Sequence, residues 1–200
     1  MVPNFQQRDG LSPRAQAILN LDAGEVYTRL VVTGDGNLPA KPLLEKLDAT
    51  NVIAGAVDND EATLAVVCGL WLWQDWIHES HNLSQNLETP TGSLWHAVMH
   101  RREGDFNNAK YWYGRCRNHP ALAEMASAGT QLVRSSPAAD DNARTILRGG
   151  WDPYALTDFV ESVYDSPDNH PPVALARDLQ TLEFQILFDY TVRLARGLTK

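Results

Sequence analysis

Histidine side chains are concentrated in one stretch of this sequence, at spacings that bring imidazole rings together on a helix. Four of the six histidines fall within residues 75–116: His78, His81, His96 and His100. His96 and His100 are four residues apart and Glu103 follows three residues later, so all three share one face of a helix. Neutral imidazoles and carboxylates bind zinc and similar divalent ions, and they also carry out proton transfer near neutral pH.

Two chemical uses of these residues follow, and a third interpretation needs no ligand. A metal site would take its ligands from His81, His96, His100 and Glu103. A metal-free acid/base site would use His100 as the base, oriented by Glu103 and assisted by His96. The glutamate of an HExxH zinc-protease motif is missing, since Ala97 holds that position. A structural polar network without a ligand remains the third alternative.

Further polar side chains nearby are candidate binding residues. They are His81 and Gln85 upstream of the helix break, and Arg101 and Lys110 downstream of it. The two cations provide a means of holding an anionic substrate. The stretch as a whole therefore predicts binding of a small molecule or a divalent metal ion, with hydrolytic or acid/base chemistry as the corresponding activity.

Three predicted helices position these side chains. They cover about residues 60–86, 93–103 and 106–117. At 100° per residue, His81 lies on a narrow polar arc of the first helix together with Gln74, His78 and Gln85. The short break at 88–92 makes the first two helices antiparallel neighbours, so we expect His81 to face His96 and His100. Asp75 and Glu79 lie on another face and are expected to be solvated, whereas Trp112 is expected in the core.

The remaining segments also favour helices, and the sequence predicts an all-α, irregular helical bundle that forms one domain over residues 1–200. Ser12-Pro13 and Asp152-Pro153 are typical helix starts. The other predicted helices cover about residues 13–21, 22–32, 39–47, 120–126, 153–164 and 172–197. Residues 129–141 are expected to form a surface loop.

Composition excludes several classes of partner. The formal net charge is −8 and the pI is near 5.1, which argues against nucleic acid or an anionic membrane because phosphates require clustered basic residues. The longest apolar run, residues 64–73, is about half as long as a membrane-spanning helix. The N-terminus lacks the apolar segment of a signal peptide, and two distant cysteines predict no disulfide framework. We expect a cytoplasmic protein.

The segment GDFNNAKYWYGRC, residues 104–116, resembles the second half of a tetratricopeptide repeat. In that repeat, fixed positions take a glycine, an aromatic residue, an alanine, a second aromatic residue and a small residue. Here these positions are occupied by Gly104, Phe106, Ala109, Tyr113 and Cys116. The resemblance implies a close-packed helical hairpin at this point, but only one such unit occurs. It also implies a competing function, an interaction module that presents cations and an aromatic ring to a protein partner: Arg101, Arg102, Lys110 and Tyr111.

The chain also resembles an uncharacterised family of bacterial and fungal all-helical proteins. The similarity covers about a third of the sequence and comprises DWIHESHNLSQNLETPTGSLWHAVMHRREGDFNNAKYWY, WDPYALTDFVE and QTLEFQILFDYT. The family pattern includes Asp75, His81, Gln85, His96, His100, Arg101, Glu103, Asp105, Asn108 and Lys110. His78 lies off this pattern, which favours His81 as the partner on the long helix. The resemblance transfers this sequence pattern and implies no particular activity.

Overall fold

Helices provide nearly all the regular structure of this chain. The computed structural model describes residues 8–21 and 27–199, and within them one isolated β-bridge joins Leu11 to Ile53. The helices in chain order are α1 (Pro13–Leu19), α2 (Lys41–Leu44), α3 (Asp60–Trp73), α4 (Ile77–Ser84), α5 (Pro90–Glu103), α6 (Phe106–Tyr113), α7 (Ala121–Ser135), α8 (Asp141–Thr145), α9 (Pro153–Val163) and α10 (Pro171–Ala195). The predicted all-α bundle is confirmed.

Polar side chains cap three of the four helices that begin with proline, α1, α5 and α9. The hydroxyl groups of Ser12 and Thr89 and the carboxylate of Asp152 accept backbone N–H groups from the first turns of α1, α5 and α9. Proline suits the first helical position because its missing N–H would have no partner there. Helix α5 begins earlier than predicted, at Pro90, because Thr89 is its cap.

Helices α3, α5 and α10 meet at an aromatic centre. Trp95 on α5 is fully buried, and its Nε1 donates a hydrogen bond of 3.0 Å to the Thr191 hydroxyl on α10. The ring of Phe184 packs edge-on against Trp95, with centroids 5.2 Å apart. A Cβ atom at Gly69 of α3 would lie 2.9 Å from the Trp95 ring, so this close approach requires glycine. These contacts fix α5 in the middle of the molecule.

The prediction of one helix over residues 60–86 is wrong, because α3 ends at Trp73 and α4 begins at Ile77. Between them Asp75 has a φ of 62°, and no other non-glycine residue in the described ranges has a positive φ. Its side chain is buried and ion-paired with Arg102, so the expected solvated position is also wrong. A left-handed residue costs about 1–3 kcal/mol and persists where its surroundings hold it in place.

The loop before α2 supplies the groups that hold this break. The backbone N–H of Asn37 donates to the Gln74 carbonyl at 2.9 Å, and the Asn37 amide donates to Gln74 Oε1 at 2.8 Å. Trp76 Nε1 in turn donates to the Asn37 carbonyl at 3.1 Å. The end of α3 is therefore satisfied by tertiary hydrogen bonds, and α4 starts in a new direction.

A second correction concerns residues 129–141, predicted as a loop. Helix α7 continues to Ser135, because Met125, Gly129 and Val133 form a buried stripe at i, i+4 spacing. A Cβ at Gly129 would lie 2.6 Å from the Trp151 ring, so this glycine serves close packing and does not break the helix. The loop begins only after this stripe ends.

Three other predicted helices differ in extent. Residues 22–26, at the start of the predicted helix over 22–32, lie outside the described residues, and residues 27–32 contain only a short 3-10 turn. The helix predicted over 39–47 is reduced to α2 and a preceding 3-10 turn, and the helix predicted over 106–117 ends at Tyr113. Among the described helices, none combines the length and apolarity needed to cross a membrane.

Helices α5 and α6 form the expected hairpin. Gly104 between them has a φ of 88°, a conformation that favours glycine, and the Asp105 side chain caps α6. Ala97 and Ala109 are fully buried, which allows the two helices to approach closely. The assignment of this hairpin to the tetratricopeptide type stays a prediction.

Candidate metal centre

Three imidazole rings converge at the interface of α4 and α5. His81 lies on α4, and His96 and His100 lie on α5; one ring nitrogen of each falls within 4.8 Å of the other two. The ring centroids are 5.0 Å apart for His81 and His96, 5.2 Å for His81 and His100, and 4.6 Å for His96 and His100. Helix α4 begins after the break at Asp75 and packs against α5, which brings His81 next to His96 and His100.

Hydrogen bonds orient the His100 ring. Its Nδ1 lies 3.0 Å from the Glu103 carboxylate, and its Nε2 lies 2.8 Å from His96 Nε2. A carboxylate accepts hydrogen bonds and does not donate them, so Glu103 favours the tautomer of His100 with the proton on Nδ1. The Nε2 lone pair of His100 then faces the other two histidines. The Asn108 amide, 3.0 Å from the same Nε2, approaches from α6.

Burial keeps the two histidines of α5 uncharged at neutral pH. His96 is 2% exposed and His100 is 4% exposed. Burial, together with the charge that His100 would carry, lowers the pKa of His96 to about 4. Burial also lowers the pKa of His100, although Glu103 partly opposes this shift. Both rings therefore retain a lone pair at pH 7, which is the state that a metal ion requires.

Aromatic and basic side chains cover His96 on its outer side. The Trp112 ring is stacked on His96 with centroids 4.1 Å apart, and the Arg115 guanidinium lies 4.8 Å from the Trp112 ring centre. His96 Nδ1 is buried without a hydrogen bond of normal geometry, although the backbone of Ser84 is close enough to favour the charged ring. This side of the cluster is shielded from water.

The opposite side of the cluster opens into a pocket of about 440 Å³. His81, which is half-buried, and Glu103 both line this pocket, together with Asp75 and Trp76 of the helix break. A molecule entering from solvent would therefore meet His81 and Glu103 before the buried rings of α5.

The three ring nitrogens lie close enough for a single ion to bind them after the side chains rotate. Zinc lies roughly 2.0–2.1 Å from imidazole nitrogens, which places tetrahedral ligand atoms about 3.3 Å apart. The observed 2.8 Å between the Nε2 atoms of His96 and His100 is shorter than this, and the 4.8 Å span of the cluster is longer. Coordination of one ion therefore requires the Nε2 atoms of His96 and His100 to separate by about 0.5 Å and the widest pair of nitrogens to approach by up to about 1.5 Å.

Glu103 takes a different position from that of a metal ligand. The sequence placed it among the ligands, but its carboxylate contacts the far nitrogen of His100 and is not part of the group of converging atoms. Such a carboxylate behind a metal-binding imidazole fixes the ring's tautomer and raises its basicity. Glu103 is therefore suited to orient His100.

The other predicted binding residues lie away from the cluster. Gln85 is exposed and contacts Asn82 on its own helix, and His78 is exposed one turn before His81. Lys110 is paired at the surface with Asp158, at 2.5 Å, and with Glu161, at 3.3 Å.

Arg101 and Arg102 both point into the core. Each is fully buried; Arg101 is paired with Glu183 and hydrogen-bonded to the Tyr113 hydroxyl at 2.8 Å, and Arg102 is paired with Asp75. The expectation that Arg101 holds an anionic substrate is therefore wrong. Neither arginine can be presented to a protein partner, since both charges are already neutralised inside the bundle.

Two residues of the site were not among the predicted site residues. Asn108 reaches His100 from the first turn of α6, and its position on the family pattern was a usable signal. Trp112 was expected in the core, and only the structure reveals that its ring lies on His96. A comparison of the chain with the known protein families, with curated proteins and with solved structures finds no match.

Proposed function

We propose that this protein binds a divalent transition-metal ion, zinc or a close relative, through His81, His96 and His100. The observation that carries the proposal is the convergence of three imidazole nitrogens from two helices within 4.8 Å. Imidazole is a preferred ligand of zinc, copper, nickel and iron. A site built from three neutral histidines also leaves the full charge of the ion available to polarise a further ligand.

The electrostatic surroundings support this assignment. Burial keeps the rings of His96 and His100 neutral, so a metal ion displaces few protons on binding. Glu103 stands behind His100 as the carboxylate of a carboxylate–histidine–metal arrangement. On His96, Nδ1 can donate to the backbone of Ser84 once Nε2 is used for a metal ion, which would satisfy an atom that now lacks a normal hydrogen bond.

The expected chemistry is metal-assisted hydrolysis or hydration. Three protein ligands leave one position for water, and a zinc ion in such a site lowers the pKa of that water to about 7. The pocket that His81 and Glu103 line would bring a substrate to the edge of the cluster. Glu103 lines the same pocket and can accept a hydrogen bond from the Nδ1–H group of His100, which would keep the proton on that nitrogen.

The direct test is metal analysis of the purified full chain and of two matched variants. Purified protein loaded with zinc and desalted should retain one equivalent, and cobalt substitution should give the visible absorption of a tetrahedral site. His100→Ala should lose the bound metal, whereas His78→Ala, which removes an exposed histidine of the same helix as His81, should keep it. Absence of metal from the loaded wild type, or equal loss in both variants, would contradict the proposal.

A metal-free acid/base site is the second candidate, and one distance favours it. The 2.8 Å contact between His96 Nε2 and His100 Nε2 is that of a direct hydrogen bond between neutral rings. In this arrangement Glu103, His100 and His96 would form a hydrogen-bonded chain, and the His96 ring at its end packs against His81, which lines the pocket. Nitrogen NMR of the imidazole rings distinguishes the two candidates. If the protein binds zinc, a chelator should shift the ring-nitrogen signals of all three histidines. If only the hydrogen-bonded chain is present, the same chelator should leave these signals unchanged.

A further inference from the structure

A second pocket, which shares no lining residue with the pocket beside His81, lies where the end of α6, the start of α7 and the turn before α9 meet. Its volume is about 210 Å³. Two arginines from separate segments line it, Arg117 after α6 and Arg148 before α9. Neither forms an ion pair with a carboxylate of the described residues, although the protein as a whole carries a net charge of −8. The Arg117 guanidinium lies 5.6 Å from the centre of the Tyr154 ring.

The backbone of the turn adds donors to the same wall. Gly149 and Gly150 have φ values of 93° and 138°. A Cβ atom at either position would have no atom of another part of the chain within 4 Å. The N–H groups of Gly149, Gly150 and Trp151 have no acceptor among the described residues; the next hydrogen bond of the turn runs from the Asp152 N–H to the Ile146 carbonyl. Successive free N–H groups in a turn form a concave site for anions.

Acceptors are scarce in this pocket. Asp152 is the one acidic residue in its lining, and its Oδ1 already accepts the N–H groups of Tyr154 and Ala155 as the cap of α9. Trp151 is 6% exposed, and its indole N–H also lacks an acceptor among the residues described. The wall therefore offers two guanidinium forks and a run of N–H groups, with donors in excess of acceptors.

We propose that this pocket binds the phosphate group of a small molecule, a phosphate monoester. A phosphate presents three terminal oxygens, each able to accept more than one hydrogen bond, and guanidinium groups bind such oxygens in pairs. The rings of Trp151 and Tyr154 provide an apolar surface for the esterified part of the ligand. The volume suits a ligand smaller than a typical nucleotide, because drug-sized sites run from roughly 300 to 1,000 Å³.

The test is titration of chelator-treated full-length protein, so that no metal ion at the histidine cluster can bind phosphate. The probes are phenyl phosphate, inorganic phosphate and benzoate, followed by the amide NMR signals of Gly149, Gly150 and Trp151. Phenyl phosphate should saturate these signals and benzoate should bind at least tenfold more weakly. If inorganic phosphate binds as tightly as the ester, free phosphate is the ligand and the site stands; absence of saturable shifts with either phosphate overturns it.

Charge-matched variants separate a built site from a general effect of charge. Arg148→Ala should weaken phenyl phosphate binding at least tenfold, and Arg117→Lys should weaken it less, since the charge remains and the paired donors are lost. Arg14→Ala removes the same charge from an exposed residue of α1 and should leave binding unchanged. Equal weakening by Arg14→Ala and Arg148→Ala, with circular dichroism unchanged in both, would overturn the proposal.

Discussion

Helix α5 carries two buried polar regions that differ in the charge state of their side chains. On one side, Arg101 and Arg102 are each paired with a buried carboxylate, Glu183 and Asp75 respectively. On the other, His96 and His100 are uncharged, contact each other at 2.8 Å and converge with His81. Each arginine charge is neutralised by a buried carboxylate, whereas the three imidazole rings converge beside a pocket, with the Glu103 carboxylate behind one of them. The first region is therefore a set of compensated charges in the core, and the second is the region in which we propose that a metal ion binds.

The largest effect should come from breaking the arginine region. Arg101→Ala would leave Glu183 as an uncompensated charge in the core, where both side chains are fully buried. Removing one partner of a buried pair typically costs about 3–5 kcal/mol, whereas replacing both by apolar residues is often nearly neutral. Urea unfolding should therefore show a large loss for Arg101→Ala and a substantial recovery in Arg101→Met/Glu183→Leu. Equal losses in both variants would indicate that the pair itself stabilises the fold.

A pH experiment tests whether the buried histidines are uncharged in the folded protein. Burial lowers the pKa of His119, which contacts Thr91 at 3.0 Å, to about 4. The unfolded chain takes up this proton near pH 6.5 and the folded chain only near pH 4, so stability should fall as pH drops from 6.5 to 4 and stay level above 6.5. The difference in pKa corresponds to roughly 3 kcal/mol.

Urea unfolding of the chelator-treated protein at pH 7, 5.5 and 4.5 measures this loss. His119→Gln should lose less stability over the range, because glutamine does not titrate, while part of the loss remains because burial shifts the pKa of His96 in the same direction. His170→Gln, at an exposed position, is the matched control and should behave as wild type. An equal change in stability from pH 7 to 4.5 in wild type and His119→Gln would contradict the neutral state of the His119 ring.

The difference between the two regions of α5 also explains what the sequence could predict. The spacing of His96 and His100 and the short break before α5 were enough to expect a cluster with His81, because i, i+4 geometry is local. The burial of Arg101 depends on Glu183, which is 82 positions away, and nothing in the local sequence marks that partner. Local patterns therefore identified the cluster and misjudged its charged neighbours.

The end of α3 shows the same limit. Apolar residues continue from α3 toward α4, so the sequence favours one helix over residues 60–86. The break is fixed by Asn37 and by the ion pair of Asp75 with Arg102, both of which are tertiary contacts. The direction of α4, and hence the position of His81, could not be derived from the periodicity of that segment alone.

The role of Glu103 provides a prediction of intermediate size. If it orients His100 as a neighbour of a bound metal ion, Glu103→Gln should weaken zinc binding about 10–100-fold without abolishing it. If it is itself a ligand, the loss should approach that of His100→Ala. Competition titration with a chromophoric chelator measures both, and Glu88→Gln, an exposed acid before α5, is the control for net charge. Unchanged affinity in Glu103→Gln would exclude both roles.

The smallest effect should come from Lys110, which the sequence placed among the binding residues. Its ammonium group contacts Asp158 and Glu161 at the edge of α9, and both carboxylates are substantially exposed to water. Its neighbours raise the pKa of Lys110, the hydrogen bond to Asp158 most of all. Exposed pairs of this kind contribute about 0–1 kcal/mol, so Lys110→Ala should change urea stability within that range and leave zinc affinity unaltered. A clear loss of zinc affinity in Lys110→Ala would extend the functional region from α4 and α5 to the α6–α9 surface, and the division of α5 into a structural and a chemical side would then be incomplete.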